Sequence, residues 1–150
     1  MIAVIQRVSE ASVTIENKIH GKINNGFLVL LGITHGDTKE DIEWLGRKII
    51  GMRIFSDQEG KMNLDLAAVN GDILLISQFT LHASTKKGNR PSFIEAARPE
   101  IAITLYEQMI TFMENELGKS IQCGKFGADM KVALLNDGPV TIVIDSRNRI

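Results

Sequence analysis

The chain has 150 residues and 16.6 kDa, a size at which one domain buries about 70% of the surface that the unfolded chain exposes. Hydrophobic residues make up 44% and charged residues 23%, ordinary globular usage that excludes a disordered tail or a fibrous repeat. The 17 Lys and Arg against 18 Asp and Glu exclude a basic coat for nucleic acid or for an anionic membrane, so any RNA or lipid contact has to be local.

A lone cysteine, Cys123, cannot form an intrachain disulfide and fits a reducing cytoplasm, and the three histidines (His20, His35 and His82) are too far apart for zinc-ligand spacing. Residues 1–7 carry no basic stretch ahead of an apolar one, and the longest apolar run, 27–31, is far short of the roughly 18 residues of a membrane span. Neither a targeting segment nor a membrane segment is expected.

In chain order, residues 3–8 and 11–16 read as two strands, the second alternating Val13 and Ile15 against Ser12, Thr14 and Glu16. Asn17-Lys18 makes a turn, Gly21 and Asn24-Asn25-Gly26 another, and 27–33 is a continuous apolar strand that should be covered on both faces. Asp37 or Thr38 caps a helix, because Glu40 and Asp41 stand at capping-box spacing from them; Ile42, Leu45, Ile49 and Ile50 form its stripe and Gly51 ends it. A short strand at 53–56 and a turn at 57–60 precede a central strand at 72–79 with four consecutive apolar residues. Residues 80–98 change character and read as a long loop, of a length that compact domains often reserve for function. Pro99 opens a long helix with a stripe of Ala102, Leu105, Met109, Phe112 and Met113, stopped by Gly118. Strands at 131–135 and 140–145 flank Asn136-Asp137-Gly138-Pro139, and 146–150 reads as frayed. The expected fold is one α/β layered domain over 1–150, mostly strands with two main inserted helices.

Several chemistries are absent. Gly118-Lys119-Ser120 has Met113 where a phosphate-binding loop needs its leading glycine, and no dinucleotide or hydrolase-elbow fingerprint occurs, so no nucleotide cofactor is expected. Cys123 reads as a buried structural thiol, and His20 and His35 as surface residues. Two stretches stand out. In Ser77-Gln78-Phe79-Thr80-Leu81 an apolar strand turns abruptly polar at its C-terminal end, where ligands gather in α/β sheets; a strand end satisfied by neighbouring backbone fits the same pattern. Asn136-Asp137-Gly138-Pro139-Val140-Thr141 reads on composition as a turn, and equally as a backbone gate, since glycine admits close approach and an X-Pro bond can be held cis.

These two stretches, about 55 residues apart, resemble the paired signatures of the D-aminoacyl-tRNA deacylases. Gln6-Arg7-Val8, Arg90-Pro91-Ser92-Phe93 and Gly124-Lys125-Phe126-Gly127-Ala128-Asp129-Met130 extend the resemblance over nearly the whole chain. The resemblance implies a homodimeric hydrolase, without metal or other cofactor, that cleaves the ester joining a D-amino acid to the 3′-terminal adenosine of tRNA. It implies that Gly138-Pro139, with a cis bond, reaches from one subunit into the other's site and turns its carbonyl oxygens toward the substrate's α-amino group. An L side chain would collide there, whereas glycine, having none, would escape rejection. Arg7 would hold that loop, and Phe126 and Met130 would surround the adenosine and aminoacyl group; Phe126 and Met130 read equally as core, and Arg7 as a strand-edge charge.

Within the resemblance, Ser77, Gln78, Phe79 and Thr80 carry the chemistry. Thr80 looks like a nucleophile but has no histidine or carboxylate in its motif to activate it. Backbone N–H groups near Phe79 and Thr80 could stabilise an oxyanion by about 3 to 4 kcal/mol, with the 2′-hydroxyl of the tRNA positioning water. Lys86, Lys87 and Arg90, with Arg98 against Glu95, leave three net positive charges over 13 residues and are the expected contacts to the tRNA end. Two alternatives stay open on the sequence: a module that binds the aminoacylated end without cleaving it, and a related deacylase that edits L- or glycyl-tRNA.

Overall fold

The computed structural model describes all 150 residues. β1 (Ile2–Ile15), β2 (Lys18–Ile23) and β3 (Gly26–Gly32) come first, followed by helix α1 (Lys39–Ile50) and the short pair β4 (Phe55–Ser56) and β5 (Met62–Leu64). β6 (Asp72–Ser77), a 3-10 turn (Phe79–His82), helix α2 (Pro99–Leu117), β7 (Gln122–Cys123) and β8 (Lys131–Asp145) complete the chain. The expected two-helix α/β arrangement is present.

One sheet runs β2-β1-β3-β6-β7, and β8 lies antiparallel along the other edge of β1. The two strands expected at 3–8 and 11–16 are one. Its first part pairs with β3 and its last part with β2. The exposed Ser9 and Glu10 mark the changeover, and two irregularities in the pairing with β8 absorb the bend. β2 is an unexpected strand that begins at Lys18. Glu16 and Asn17, with φ of 50° and 61°, form the two-residue hairpin turn whose left-handed backbone matches strand twist.

β3 and β6 pair in parallel, joined by the crossover through α1. Their alternate residues feed two cores. Phe27, Val29, Leu31, Ile73 and Leu75 pack under α1 and α2 with Ile42, Leu45, Met109 and Met113. Leu28, Leu74 and Ile76 face the opposite way, onto Val8, Ala11, Val13 and Ile23, where the sheet curls over itself. A strand covered on both faces is apolar at every position, which is why 27–31 and 73–76 read as unbroken runs. No helix is long and apolar enough to cross a membrane.

The caps follow the sequence at one of two positions. The backbone N–H of Thr38 donates to Asp41 (2.9 Å), so Thr38 caps α1. Asp37 is instead buried, accepting from the Met1 ammonium (2.9 Å), the Thr34 N–H (2.8 Å) and Arg147 Nε (3.1 Å). The segment after β8, expected to fray, is therefore anchored. Ser146 is buried; its Oγ accepts from the Met1 ammonium (2.8 Å) and donates to Asp41 (2.7 Å), and the Arg149 guanidinium lies over Trp44. Composition alone hid this because serine and arginine are mostly exposed unless a buried charge needs them.

Burial pushes the Asp41 carboxyl up, but hydrogen bonds from Ser146 and from the Thr38 N–H, with the Met1 ammonium nearby, hold it below its ordinary value. A carboxyl lowered on folding contributes stability above the ordinary Asp value near 3.9 and loses it as pH falls through the folded value. Ser146→Ala should therefore cost about 1 to 3 kcal/mol at pH 7 and flatten the loss of stability on acidification below about pH 4. Urea denaturation at neutral and acid pH reads both, and an unchanged midpoint would show that the tail contributes nothing.

Candidate active site

Strand β6 ends at Ser77, level with Leu31 of β3, and the next amide, Gln78 N–H, donates to the Leu31 carbonyl (2.8 Å). The strand expected to reach Phe79 stops there because the chain turns into the 3-10 segment. Leu81 N–H closes that turn on Gln78 O (3.2 Å) and Ala83 N–H on Thr80 O (3.0 Å). Within it, Gln78 Nε2 donates to Thr80 Oγ1 (2.5 Å), and the exposed Phe79 ring meets Phe93 edge to face with centroids 5.1 Å apart.

A cavity of about 290 Å³ opens at this strand end, walled by Ser77, Gln78 and Phe79 on one side and by Phe126 and Met130 on the other. Both aromatic and thioether walls depend on residues behind them. The Tyr106 ring on α2 backs Phe126 at 6.1 Å between centroids, and the Tyr106 hydroxyl donates to Leu75 O (2.8 Å), which also accepts from Gly124 N–H (3.1 Å). Burial, reinforced by Cys123, pushes the Tyr106 phenol far up, so it stays a donor. A Cβ on Gly124 would lie 2.5 Å from Met130 Sδ, so glycine is what lets Met130 fold back onto the loop 124–130. Phe126 and Met130 are half-buried and join both descriptions given above, packed against the core and lining the cavity. Cys123 is half-buried in β7, its thiol pushed up by burial and by Glu114, so it stays protonated.

The second signature lies elsewhere in the chain. Strands 131–135 and 140–145 are one strand, β8, running through an exposed bulge whose Gly138-Pro139 bond is cis. Asn136 bridges that bulge: Val140 N–H donates to Asn136 Oδ1 (2.9 Å) and Asn136 Nδ2 to Val140 O (3.1 Å), replacing the missing strand partners. Gly138 has φ of 144°, and a Cβ there would sit 2.7 Å from Val140 Cγ2 and 3.2 Å from Arg7 Nη2. Arg7 holds the bulge from β1, its Nε donating to Asp137 O (2.9 Å) and its Nη1 to Ile54 O (2.6 Å).

Gly138, Pro139 and Arg7 do not line the chain's own cavity. Arg7 is four residues from Ala3, the β1 residue level with Leu31 and hence with Ser77. That places it roughly 13 Å further along the sheet. Thr80 stands outside the wall too, tied to it through Gln78.

Lys86, Lys87 and Arg90 are exposed on a loop pinched by the Ser84↔Ser92 bridge, and none of them enters an ion pair. Thr34 Oγ1 donates to Glu95 O and Ala97 N–H to Ile33 O (2.9 Å), so the foot of this loop is fixed beside the cavity that Ala97 lines. His82 Nε2 is buried without a hydrogen-bond partner. Sequence reading missed Thr34, Tyr106 and the bridging part of Asn136. Tyr106 as the chain's single tyrosine, set on an apolar helix stripe, was the available hint.

A family model described as D-Tyr-tRNA(Tyr) deacylase matches residues 4–145. The chain belongs to the D-aminoacyl-tRNA deacylase family. It is accordingly an ester hydrolase of that family. It is 65% identical over 149 residues to the D-aminoacyl-tRNA deacylase of Cytophaga hutchinsonii and 60% identical to that of Flavobacterium psychrophilum, with 99% of each chain covered in both cases. Among solved structures, the c-Myc DNA Unwinding Element Binding Protein superposes with a TM-score of 0.89 at 41% identity, covering 97% of this chain and 98% of the other. A probable eukaryotic D-amino acid tRNA deacylase superposes with a TM-score of 0.82 at 16% identity, over 95% and 97% of the two chains, a likeness of fold.

In this deacylase the guanidinium fork of Arg7 spans two carbonyls that a lysine ammonium cannot reach together. Arg7→Ala should lower stability by about 2 kcal/mol, with Arg7→Lys recovering less than half, by urea denaturation. Full recovery by lysine would show that a point charge suffices.

Proposed function

We propose that the protein hydrolyses D-aminoacyl-tRNA to free D-amino acid and tRNA through water attack assisted by the tRNA itself. The observation that carries this reading is the partner of Thr80. Its hydroxyl meets only the Gln78 amide, and an amide accepts no proton at neutral pH. Thr80 is then an unactivated alcohol, too weak to open an ester. Water attacks the ester carbonyl, oriented by the 2′-hydroxyl of the terminal ribose, and the 3′-oxygen leaves with a proton. The first N–H groups of a 3-10 turn have no partner inside it, so those of Phe79 and Thr80 are the donors for the developing oxyanion. Ser77 and Gln78 orient the ester, while Phe126 and Met130 enclose the adenosine and aminoacyl group.

Chirality is read by Gly138-Pro139 of a second subunit. Three observations support this: the bulge is exposed, it is fixed by Arg7 and Asn136, and it is remote from its own chain's cavity. β8 pairs only with β1, so its outer edge is unpaired over 15 residues, with Leu135 58% and Val143 64% exposed. A long apolar edge of this kind invites pairing, and pairing with a second copy about a two-fold axis closes the assembly. The gate's carbonyls receive the α-ammonium of a D-amino acid and collide with an L side chain; glycyl-tRNA, with nothing to collide, passes. The whole reaction lies in one domain, 1–150, present twice in a homodimer acting in the cytoplasm. Lys86, Lys87 and Arg90 grip a few phosphates at the tRNA end, giving a shallow salt dependence.

Thr80→Ala should keep activity within about tenfold, whereas a D-aminoacyl-tRNA ending in 2′-deoxyadenosine should lose at least about a hundredfold in single-turnover assays. The reverse pair of results makes Thr80 the nucleophile. Light scattering should report a dimer, and Leu135→Lys a monomer that no longer deacylates; a fully active monomer would refute the shared site.

A further inference from the structure

On the far side of the loop 124–130 lies a second, larger cavity of about 760 Å³, bounded by the turn between β1 and β2. The two cavities share residues 126–129, so a single loop separates them. The first, at about 290 Å³, stands at the lower limit of sites that hold one drug-sized ligand. An aminoacyl group with its terminal base fills it, and the phosphodiester leading to the preceding nucleotide has to lie outside.

The second cavity has the chemistry to receive that nucleotide. Lys18 and Lys125 stand exposed on it and enter no ion pair. Of its two carboxylates, Asp129 is already neutralised by Lys131, whose Nζ donates to both oxygens at 3.0 Å, leaving Glu16 alone against two free lysines. Between Lys18 and His20 the Ile19 side chain is 65% exposed, although the same strand buries Gly21 and Ile23. Free cations beside a bare aliphatic surface suit a phosphate joined to the flat face of a base.

We propose that this cavity binds the nucleotide immediately 5′ to the terminal adenosine, with its phosphodiester on Lys18 and Lys125 and its base against Ile19, His20 standing at the edge. The proposal rests on the deacylase reading above and adds a second nucleotide subsite to it. It makes the loop 124–130 a partition over which the RNA end bends, with Phe126 shared by both cavities, Met130 lining only the first and Lys125 only the second.

The test compares two small substrates: the D-tyrosyl ester of adenosine, and that of the dinucleotide carrying one further 5′ cytidine. The wild-type protein should prefer the dinucleotide by roughly tenfold in kcat/KM, carried by KM, because the added contacts bind ground and transition state alike. In the double variant Lys18→Ala, Lys125→Ala that preference should fall to within about twofold while the adenosine ester is hydrolysed at the wild-type rate. Absence of a preference in the wild type, its survival in the variant, or an equal slowing of both esters overturns the second subsite. Hydrolysis of neither ester while full-length D-tyrosyl-tRNA is cleaved likewise overturns the second subsite, and failure on the tRNA as well removes the tRNA-assisted reading beneath it.

Discussion

The hydrogen bond from Gln78 N–H to the Leu31 carbonyl is the last rung of the parallel pair β3 and β6, and the site hangs from it. Up to that rung, every side chain of β6 from Ile73 to Ile76 is committed to one of two cores. One residue later the chain leaves the sheet, and Ser77, Gln78 and Phe79 line a cavity at its rim. A strand buried on both faces has no freedom to slide, because a shift of one residue would exchange its two apolar faces. The position of the polar strand end is thus fixed by burial several residues away.

A second carbonyl does related work inside the sheet. Leu75 O accepts from the Tyr106 hydroxyl and from Gly124 N–H, so one peptide group on β6 ties together α2 and the start of the loop that bears Phe126 and Met130. Both walls of the cavity are therefore referred to the same strand. The rim loop is fixed separately, through Thr34 to Glu95 and Ala97 to Ile33, at the end of β3. Such anchoring suits the proposed reaction, in which no side chain supplies an acid or base and catalysis is left to position and backbone polarity.

The bulge at Gly138 obeys a different logic. It interrupts a fifteen-residue strand, yet Asn136 and Arg7 hold it with side-chain donors and acceptors that reproduce what the ladder would have given. A rigid backbone projection is expensive in lost ladder bonds, and those two side chains offset the loss. Its distance from its own cavity, with the exposed apolar edge running alongside it, supports the proposal that a second copy completes the site.

Much of this was legible in the residues. The unbroken apolar runs at 27–31 and 73–76 announced strands buried on both sides, Thr38 with Asp41 announced the start of α1, and Pro99 and Gly118 bracketed α2. Of the two polar motifs, Ser77-Gln78-Phe79 lines the cavity at the strand end and Gly138-Pro139 does not. Near-zero net charge excluded a basic coat, and Lys86, Lys87 and Arg90 stand exposed without ion-pair partners. Composition could not reveal that 146–149 is anchored, since that depends on the buried Met1 ammonium and Asp37 meeting Ser146 and Arg147 from the other end of the chain. Nor could it merge the paired strand readings at either end of the sheet, because Ser9-Glu10 and Asp137-Gly138 look like breaks unless a neighbour spans them. Local sequence determined which residues prefer strand, helix or turn, because those preferences act over a few bonds. Which motif faces which cavity was decided only by tertiary structure, because pairing register and burial join residues more than a hundred positions apart.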